Sequence, residues 1–336
     1  MQFMKEGTAI EARGVHKSYP SAATGDRPAL DGFELRVPVG TVHGLLGPNG
    51  AGKTTALRIM ATLLDLDEGE VRVAGYDAAK QGRQVRRHIG LVGQYAAVDE
   101  ELSGMQNLVM FGRLSRLSPR AARARADELL EQFGLAETGK KRISAYSGGM
   151  RRRLDLAAAL IVAPQILFVD EPTTGLDPAG RRDVWDAIRA LVRAGTTVLL
   201  TTQYLDEADQ LADHISLLAR GRVVAGGTPA QLKAQIGDDW LELTPRVQAD
   251  THRIKQLVEP WASGEVHEID EHVQVPVLER TSSLLGAAAA LHGAGIELED
   301  LTIRTPSLDE VFIQLTGTAA ADEPSLETAQ TEGAPA

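Results

Sequence analysis

The chain has 336 residues, 43% of them hydrophobic, and a net charge of −11 at neutral pH. That length and apolar content suit one large or two ordinary domains with proper cores, while the acidic balance argues against general binding to nucleic acid or anionic lipid. The lack of cysteine excludes disulfides, thiolate metal sites and a thiol nucleophile, and fits a reducing cytosol.

The opening Met1-Gln-Phe-Met-Lys-Glu6 has no apolar signal core and no run of about 18 apolar residues occurs, so neither secretion nor a membrane span is expected. Residues 8 to 46 read as short strands: Ala9 to Arg13, a Pro/Gly/Ser-rich interruption from Pro20 to Pro28, then Phe33 to Val37 with period-two alternation. They predict an antiparallel β element ahead of an α/β core. Tyr19 stands beside the interruption, where its ring is either a stacking surface for adenine or a half-buried structural aromatic.

The apolar run Thr41 to Leu46 then leads through Gly47, Pro48, Asn49, Gly50, Ala51, Gly52, Lys53, Thr54 and Thr55 into the helix-like Ala56 to Leu64. Glycines at 47, 50 and 52 allow a wrapped loop whose backbone N–H groups face one phosphate chain, and the helix N-terminus adds its positive end. A triphosphate suits such a loop. Lys53 would reach its terminal phosphates and the Thr54 hydroxyl would take a place on Mg²⁺.

Gly69 to Gly75 and His88 to Gln94 read as strands, the second ending on the Gln94 amide. From 103 to 135 the pattern is helical, with Leu102, Leu108, Phe111, Leu114, Leu117, Leu129, Leu130 and Phe133 on apolar faces and Ser118 capping a new start at Pro119. This predicts an inserted helical subdomain over about 100–160. The arginine clusters at 113 to 125 and 151 to 153 read as solvated helix faces.

Ser147 is placed to cap the helix that follows Tyr146, with Gly148 and Gly149 leaving backbone N–H groups open to an anion. Gln165 to Glu171 is a continuous apolar strand ending in two acids, the way a buried parallel strand delivers carboxylates to the ligand-binding edge of a sheet. Asp170 would hold Mg²⁺, directly or through water, and Glu171 would polarise an attacking water, because two buried acids are costly without a cation. Asp177 caps a helix that Pro178 begins, with Val184, Trp185, Ile188, Leu191 and Val192 on one face. Another buried strand, Thr196 to Thr202, has Gln203 at its tip. An acidic helix over 204 to 213 and a hairpin turned at Arg220-Gly221 follow, and Thr228-Pro229 caps a last helix. Strands alternating with helices over 41 to 225 mean a mainly parallel sheet.

The character changes after residue 237. Over 238 to 316 strand, helix, hairpin, helix and strand patterns follow one another and predict a small α+β domain of βαββαβ type. Its last helical face, Leu308, Val311, Phe312 and Leu315, is either core or an assembly surface. The Ala/Glu/Thr/Pro-rich stretch 317–336 predicts a disordered tail.

In this order the phosphate loop, Gln94, Ser147-Gly-Gly149, Asp170-Glu171 and Thr174-Gly-Leu-Asp177 resemble the nucleotide-binding subunit of an ABC transporter over residues 8 to about 230. The resemblance implies a P-loop NTPase core, with ATP and Mg²⁺ as cofactors, Tyr19 stacked on adenine, and Lys53 and Thr54 on the phosphates and metal. Gln94 would contact water and metal, Asp170 the metal, and Glu171 would be the general base. It implies a homodimer in which Ser147, Gly148 and Gly149 of one subunit close on the ATP of the other, with Asp177 in the interface loop. Two positions depart from the pattern. Tyr146 and Met150 flank the Ser-Gly-Gly where Leu and Gln are usual, and Gln203 replaces a His, so it can hydrogen-bond a γ-phosphate but cannot carry charge.

Tyr146 to Arg153, Thr201 to Asp209 and the late Pro306-Ser-Leu-Asp-Glu-Val-Phe312 resemble the daunorubicin-resistance type of bacterial drug exporter. The implied function is an ATPase on the cytoplasmic face of the membrane that drives a separate transmembrane permease to export a hydrophobic drug or lipid. An importer ATPase, a soluble ABC protein acting on ribosomes or DNA, and a drug-sequestering protein are the alternatives.

Overall fold

The computed structural model describes residues 7–19, 28–94, 97–235, 239–269 and 272–313. The chain divides into two compact units, Met1–Gln231 and Leu232–Ala336. The first opens with β1 (Thr8–Lys17), β2 (Leu30–Pro38) and β3 (Val42–Leu46), followed by α1 (Lys53–Met60), β4 (Glu68–Val73), β5 (Tyr76–Asp77), α2 (Gly82–Val85) and β6 (Ile89–Val92). Three helices come next, α3 (Gly104–Leu114), α4 (Pro119–Gln132) and α5 (Gly148–Ala159). They are followed by β7 (Ile166–Asp170), α6 (Pro178–Arg193), β8 (Thr197–Thr202), α7 (Leu205–Leu211), β9 (His214–Ala219) and β10 (Arg222–Gly227), and the division of the chain falls within α8 (Pro229–Ala234).

Two sheets form from these strands. β2-β1-β4-β5 is antiparallel, and β10-β9-β3-β8-β7-β6 is parallel except for its β10 edge. β3, β7 and β8 are buried throughout because both faces are covered. Along β7 and β8 the side chains alternate: Leu167, Val169, Val198 and Leu200 join a core with α3 to α6, whereas Ile166, Phe168 and Leu199 join one with α1 and the antiparallel sheet. Phe168 has no exposed surface, and truncating such a side chain to Ala costs about 3–5 kcal/mol. β3 also carries a buried polar contact, His43 Nε2 to Ser216 Oγ at 2.9 Å, beside the stacked His214 ring. Burial, and next the charge of His214, push the His43 pKa down to about 4.

The expected caps are present. Ser118 accepts from the Ala121 N–H, Ser147 from Met150, Asp177 from Gly180 and Thr228 from Gln231. Leu114 departs from its expected apolar face. It ends α3 and is 72% exposed, since the chain reverses at Arg116 with φ of 68°. The two-residue β5 is too short to carry a periodic signal.

The second unit contains β11 (Asp239–Pro245), α9 (Thr251–Val258), β12 (His267–Ile269), β13 (His272–Val277), α10 (Arg280–Gly293) and β14 (Leu298–Arg304). The sheet order β12-β13-β11-β14, antiparallel at every pairing, makes this the expected βαββαβ arrangement. Leu241 and Leu243 alternate inward on β11 to meet Ile254, Val258, Ala287 and Leu291 of the two helices. Residues 308–313 are helical, with Leu308 and Val311 buried. Leu315 and the expected tail 317–336 lie outside the described residues.

Candidate active site

Parallel pairing of β3, β6, β7 and β8 brings their carboxyl ends to one edge of the sheet, where open α/β sheets bind ligands. From β3 the chain enters the glycine loop. Gly52 has φ of 107°, and a Cβ there would run into the Ala29 carbonyl; a Cβ on Gly47 would run into that of Leu218. Only glycine fits this tight wrap. The loop, Lys53 to Thr55, Gln94 and Glu171 enclose a cavity of about 310 Å³.

Lys53 is 4% exposed and donates from Nζ to the carbonyls of Gly47 at 2.7 Å and Pro48 at 3.1 Å, with Glu171 Oε1 at 3.9 Å. Burial lowers its pKa, and the charges of Glu171 and Asp170 oppose that shift. The Thr54 hydroxyl lies 3.3 Å from Asp170 Oδ2, and Thr201 donates to Asp170 Oδ1 at 2.5 Å. Glu171 takes a left-handed backbone, φ 47°, held by its N–H to the Thr201 carbonyl at 3.1 Å, and accepts from the Thr174 hydroxyl at 3.2 Å. Among the described residues no three His, Cys, Asp or Glu side chains converge on a metal position. The hydroxyl of Thr54, the carboxylate of Asp170 and the amide of Gln94 are hard oxygen donors, the set that suits Mg²⁺ held jointly with a phosphate chain. The glycine cradle and the buried ammonium fit the phosphates.

The structure thus brings together Asn49, Gly50, Gly52, Lys53, Thr54, Thr55, Gln94 and Glu171 around one cavity, with Asp170 touching Thr54. Gly47 and Pro48 serve through their carbonyls, and Ala51 is buried. Tyr19, Gln203, Asp177 and the Ser147–Gly149 loop lie outside that lining. Tyr19 is 46% exposed after β1 and Gln203 half-buried after β8, while Ser147, Gly148 and Asp177 are exposed.

Three charged groups escaped the sequence reading. Arg152 belongs to the 151–153 run expected on a solvated face, yet it is 7% exposed and donates to the carbonyls of Pro172, Gly93, Asp170 and Glu171. The face failed as a prediction because α5 turns its Leu154, Asp155 and Arg152 side inward. Asp155, 4% exposed, pairs with Arg152, and burial raises its pKa against the pull of the Ala97 N–H and Arg152. Glu207, 1% exposed in the acidic α7, accepts from Thr173 at 2.9 Å and Trp185 at 3.2 Å, tying the loop after Glu171 to the segment after Gln203. An acid directly after an exposed Asp206 gives no periodic signal of burial. Tyr146, one departure from the family pattern, is buried, with its hydroxyl on the Thr138 carbonyl at 2.9 Å.

The family profile described as ABC transporter matches residues 30–174. The chain is 55% identical to the daunorubicin resistance ATP-binding protein DrrA3 of Streptomyces coeruleorubidus, over 92% of this chain and 96% of that one. It is 47% identical to the daunorubicin/doxorubicin resistance ATP-binding protein DrrA of Streptomyces peucetius over 96% and 97% of the two chains. Against the Nod factor export ATP-binding protein I of Rhizobium meliloti the identity is 38%, over 93% and 89%. Among solved structures it is similar to a dimeric ATP-binding cassette in a post-hydrolysis state bound to ADP and Pi. That likeness has a TM-score of 0.59 at 26% identity over 65% of this chain and 98% of that one.

Proposed function

From its membership of the ABC transporter family, to whose daunorubicin-resistance ATP-binding subunits the chain belongs, we propose that it works as a homodimeric Mg-ATPase on the cytoplasmic face of the membrane. There it powers a separate permease that exports a hydrophobic compound. The ABC ATPase domain itself binds and hydrolyses ATP. The observation that carries the reading is the convergence of Lys53, Thr54, Gln94, Asp170 and Glu171 on one glycine-walled cavity. No helix among the described residues is long and apolar enough to cross a membrane.

Bound nucleotide supplies the phosphoanhydride to be cleaved, and Mg²⁺ the charge that offsets its oxygens. Lys53 leaves the Gly47 and Pro48 carbonyls for the terminal phosphates, a short swing for a flexible ammonium. Thr54 and Asp170 would hold Mg²⁺. Glu171, its aim fixed by the Thr201 and Thr174 contacts, takes the proton of the attacking water, and Gln94 orients that water. Ser147 and Gly148 are exposed and, like the buried Gly149, lie outside the lining of their own cavity, which suits capture of the partner subunit's nucleotide, with the exposed Asp177 in the interface loop. The names of the relatives favour export, of a drug in the daunorubicin-resistance proteins and of Nod factor in the Rhizobium meliloti protein.

Co-expression with a candidate membrane partner and measurement of ATP-dependent drug transport in inverted vesicles, whose cytoplasmic face is outside, tests the proposal. ATP-dependent accumulation of a hydrophobic drug in the lumen that stops with Glu171→Gln is the expected result. ATP-driven loss of solute from the lumen would overturn the exporter reading.

A further inference from the structure

β6 and β7 pair in register from Ile89↔Ile166 to Val92↔Val169, and there the ladder stops. The next positions are Gly93 and Asp170, whose carbonyls both accept from one guanidinium. Arg152 Nη1 donates to Gly93 at 2.6 Å and Nη2 to Asp170 at 2.9 Å. The same group reaches the carbonyls of Pro172 through Nε at 2.9 Å and of Glu171 through Nη2 at 3.3 Å. Its second Nη1 proton meets Asp155 Oδ2 at 3.4 Å, so all five N–H donors of the fork are used. Asp155 Oδ1 in turn accepts the Ala97 N–H at 3.0 Å. The pair therefore grips the chain before Gln94, at Gly93, and after it, at Ala97, while holding the backbone of both acids.

We propose that Arg152, with Asp155, is a positioning residue that sets the gap between Gln94 and the Asp170–Glu171 pair, acting on metal-dependent nucleotide binding and turnover through Gln94. The guanidinium stands where a further rung of the ladder would close β6 onto β7, and its width keeps the two strand tips apart. A lysine cannot replace it, since one ammonium has three donors and no planar fork to span two diverging strands. Arg152 also rides on the helix that Ser147 caps, so a shift of that exposed loop is transmitted to the gap without any group touching the nucleotide.

This inference rests on the Mg-ATPase reading, and the test separates the two. The full-length chain is compared as wild type, Arg152→Lys, Gln94→Ala and the double variant. The readouts are calorimetric affinity for a non-hydrolysable ATP analogue with Mg²⁺ and with EDTA, kcat and KM for ATP, and the thermal midpoint. Arg152→Lys is expected to cut the gain in affinity that Mg²⁺ confers by about fivefold and kcat by about tenfold, with the affinity in EDTA changed by less than about twofold. In the Gln94→Ala background the same substitution should change each quantity by less than about twofold, because its route of action is already gone. Equal losses in both backgrounds, or a lowered thermal midpoint with the Mg²⁺ gain intact, would overturn the proposal. Should Arg152→Lys fail to fold, Asp155→Asn takes its place in the cycle, since it keeps an acceptor for Ala97 and loses the ion pair; additivity with Gln94→Ala would then sink the idea. A wild type that neither binds nor hydrolyses ATP would instead refute the Mg-ATPase reading.

Discussion

The two units bury different kinds of side chain. In the first, Lys53, Arg152, Asp155, Asp170, Glu171 and Glu207 are all buried; among the described residues of the second no charged side chain is, and Thr251 and Ser283 are its buried polar groups. The second unit keeps its ions outside, as in the exposed Arg246–Glu297 and Arg304–Glu310 pairs. Burying a charge is expensive unless partners repay it. A fold that needs only stability has no reason to do so, and the first unit does it at one sheet edge. The βαββαβ unit is a body held by Leu241, Leu243, Val273 and Val275.

The largest effect that could break this contrast is on turnover. Glu171→Gln should lower ATP hydrolysis by about 100-fold or more, near 3 kcal/mol of barrier, while leaving nucleotide bound; steady-state assays giving the wild-type rate would remove Glu171 as the base. Next comes pH. His43 has a folded pKa of about 4 against 6.5 unfolded. Below pH 6.5 the unfolded chain takes up a proton that the folded chain refuses, so stability falls as the pH drops from 6.5 to about 4, by about 3 kcal/mol in all. Denaturant unfolding should show this loss in the wild type and a flatter profile in His43→Gln; parallel profiles would reject it. No histidine of the second unit is buried among the described residues.

Lys53→Ala should weaken ATP by about 30-fold, near 2 kcal/mol, the worth of a charge-assisted contact, and unchanged calorimetric affinity would contradict it. For Gln203→Ala we expect turnover about fivefold lower, the size of one neutral hydrogen bond to a γ-phosphate. Equal activity would mean that this amide merely ends a buried strand. The smallest effect belongs to the second unit. Arg246→Ala removes a pair that is 66% and 72% exposed and should shift stability by less than about 0.5 kcal/mol; a shift above about 1 kcal/mol would show that its surface ions are not equivalent to solvent-screened ones.

What the sequence discloses follows from distance along the chain. The glycine loop, the caps at Ser118, Ser147 and Asp177, and the apolar strands ending in Asp170-Glu171 are local patterns, and the parallel sheet makes their meeting a matter of topology. Arg152 was illegible because four of its five partners lie 18 to 59 residues away and are backbone carbonyls, which have no side-chain identity to recognise. Glu207 was hidden for a related reason, its partners Thr173 and Trp185 being 34 and 22 residues distant. Leu114 shows the reverse error, a periodic position made solvent-facing by the turn at Arg116. The resemblance to ABC subunits supplied roles for Tyr19, Gln203 and Ser147 that no contact within one chain discloses.

The left-handed backbone of Glu171 has a consequence for laboratory selection. A side chain at φ 47° costs about 1–2 kcal/mol that glycine does not incur, an advantage partly cancelled by glycine's looser unfolded chain. Glu171→Gly should therefore melt at nearly the wild-type temperature. A library sorted only for heat tolerance or expression yield would retain that substitution and score the position as dispensable, so any stabilisation campaign on this chain must sort for ATP turnover in the same round.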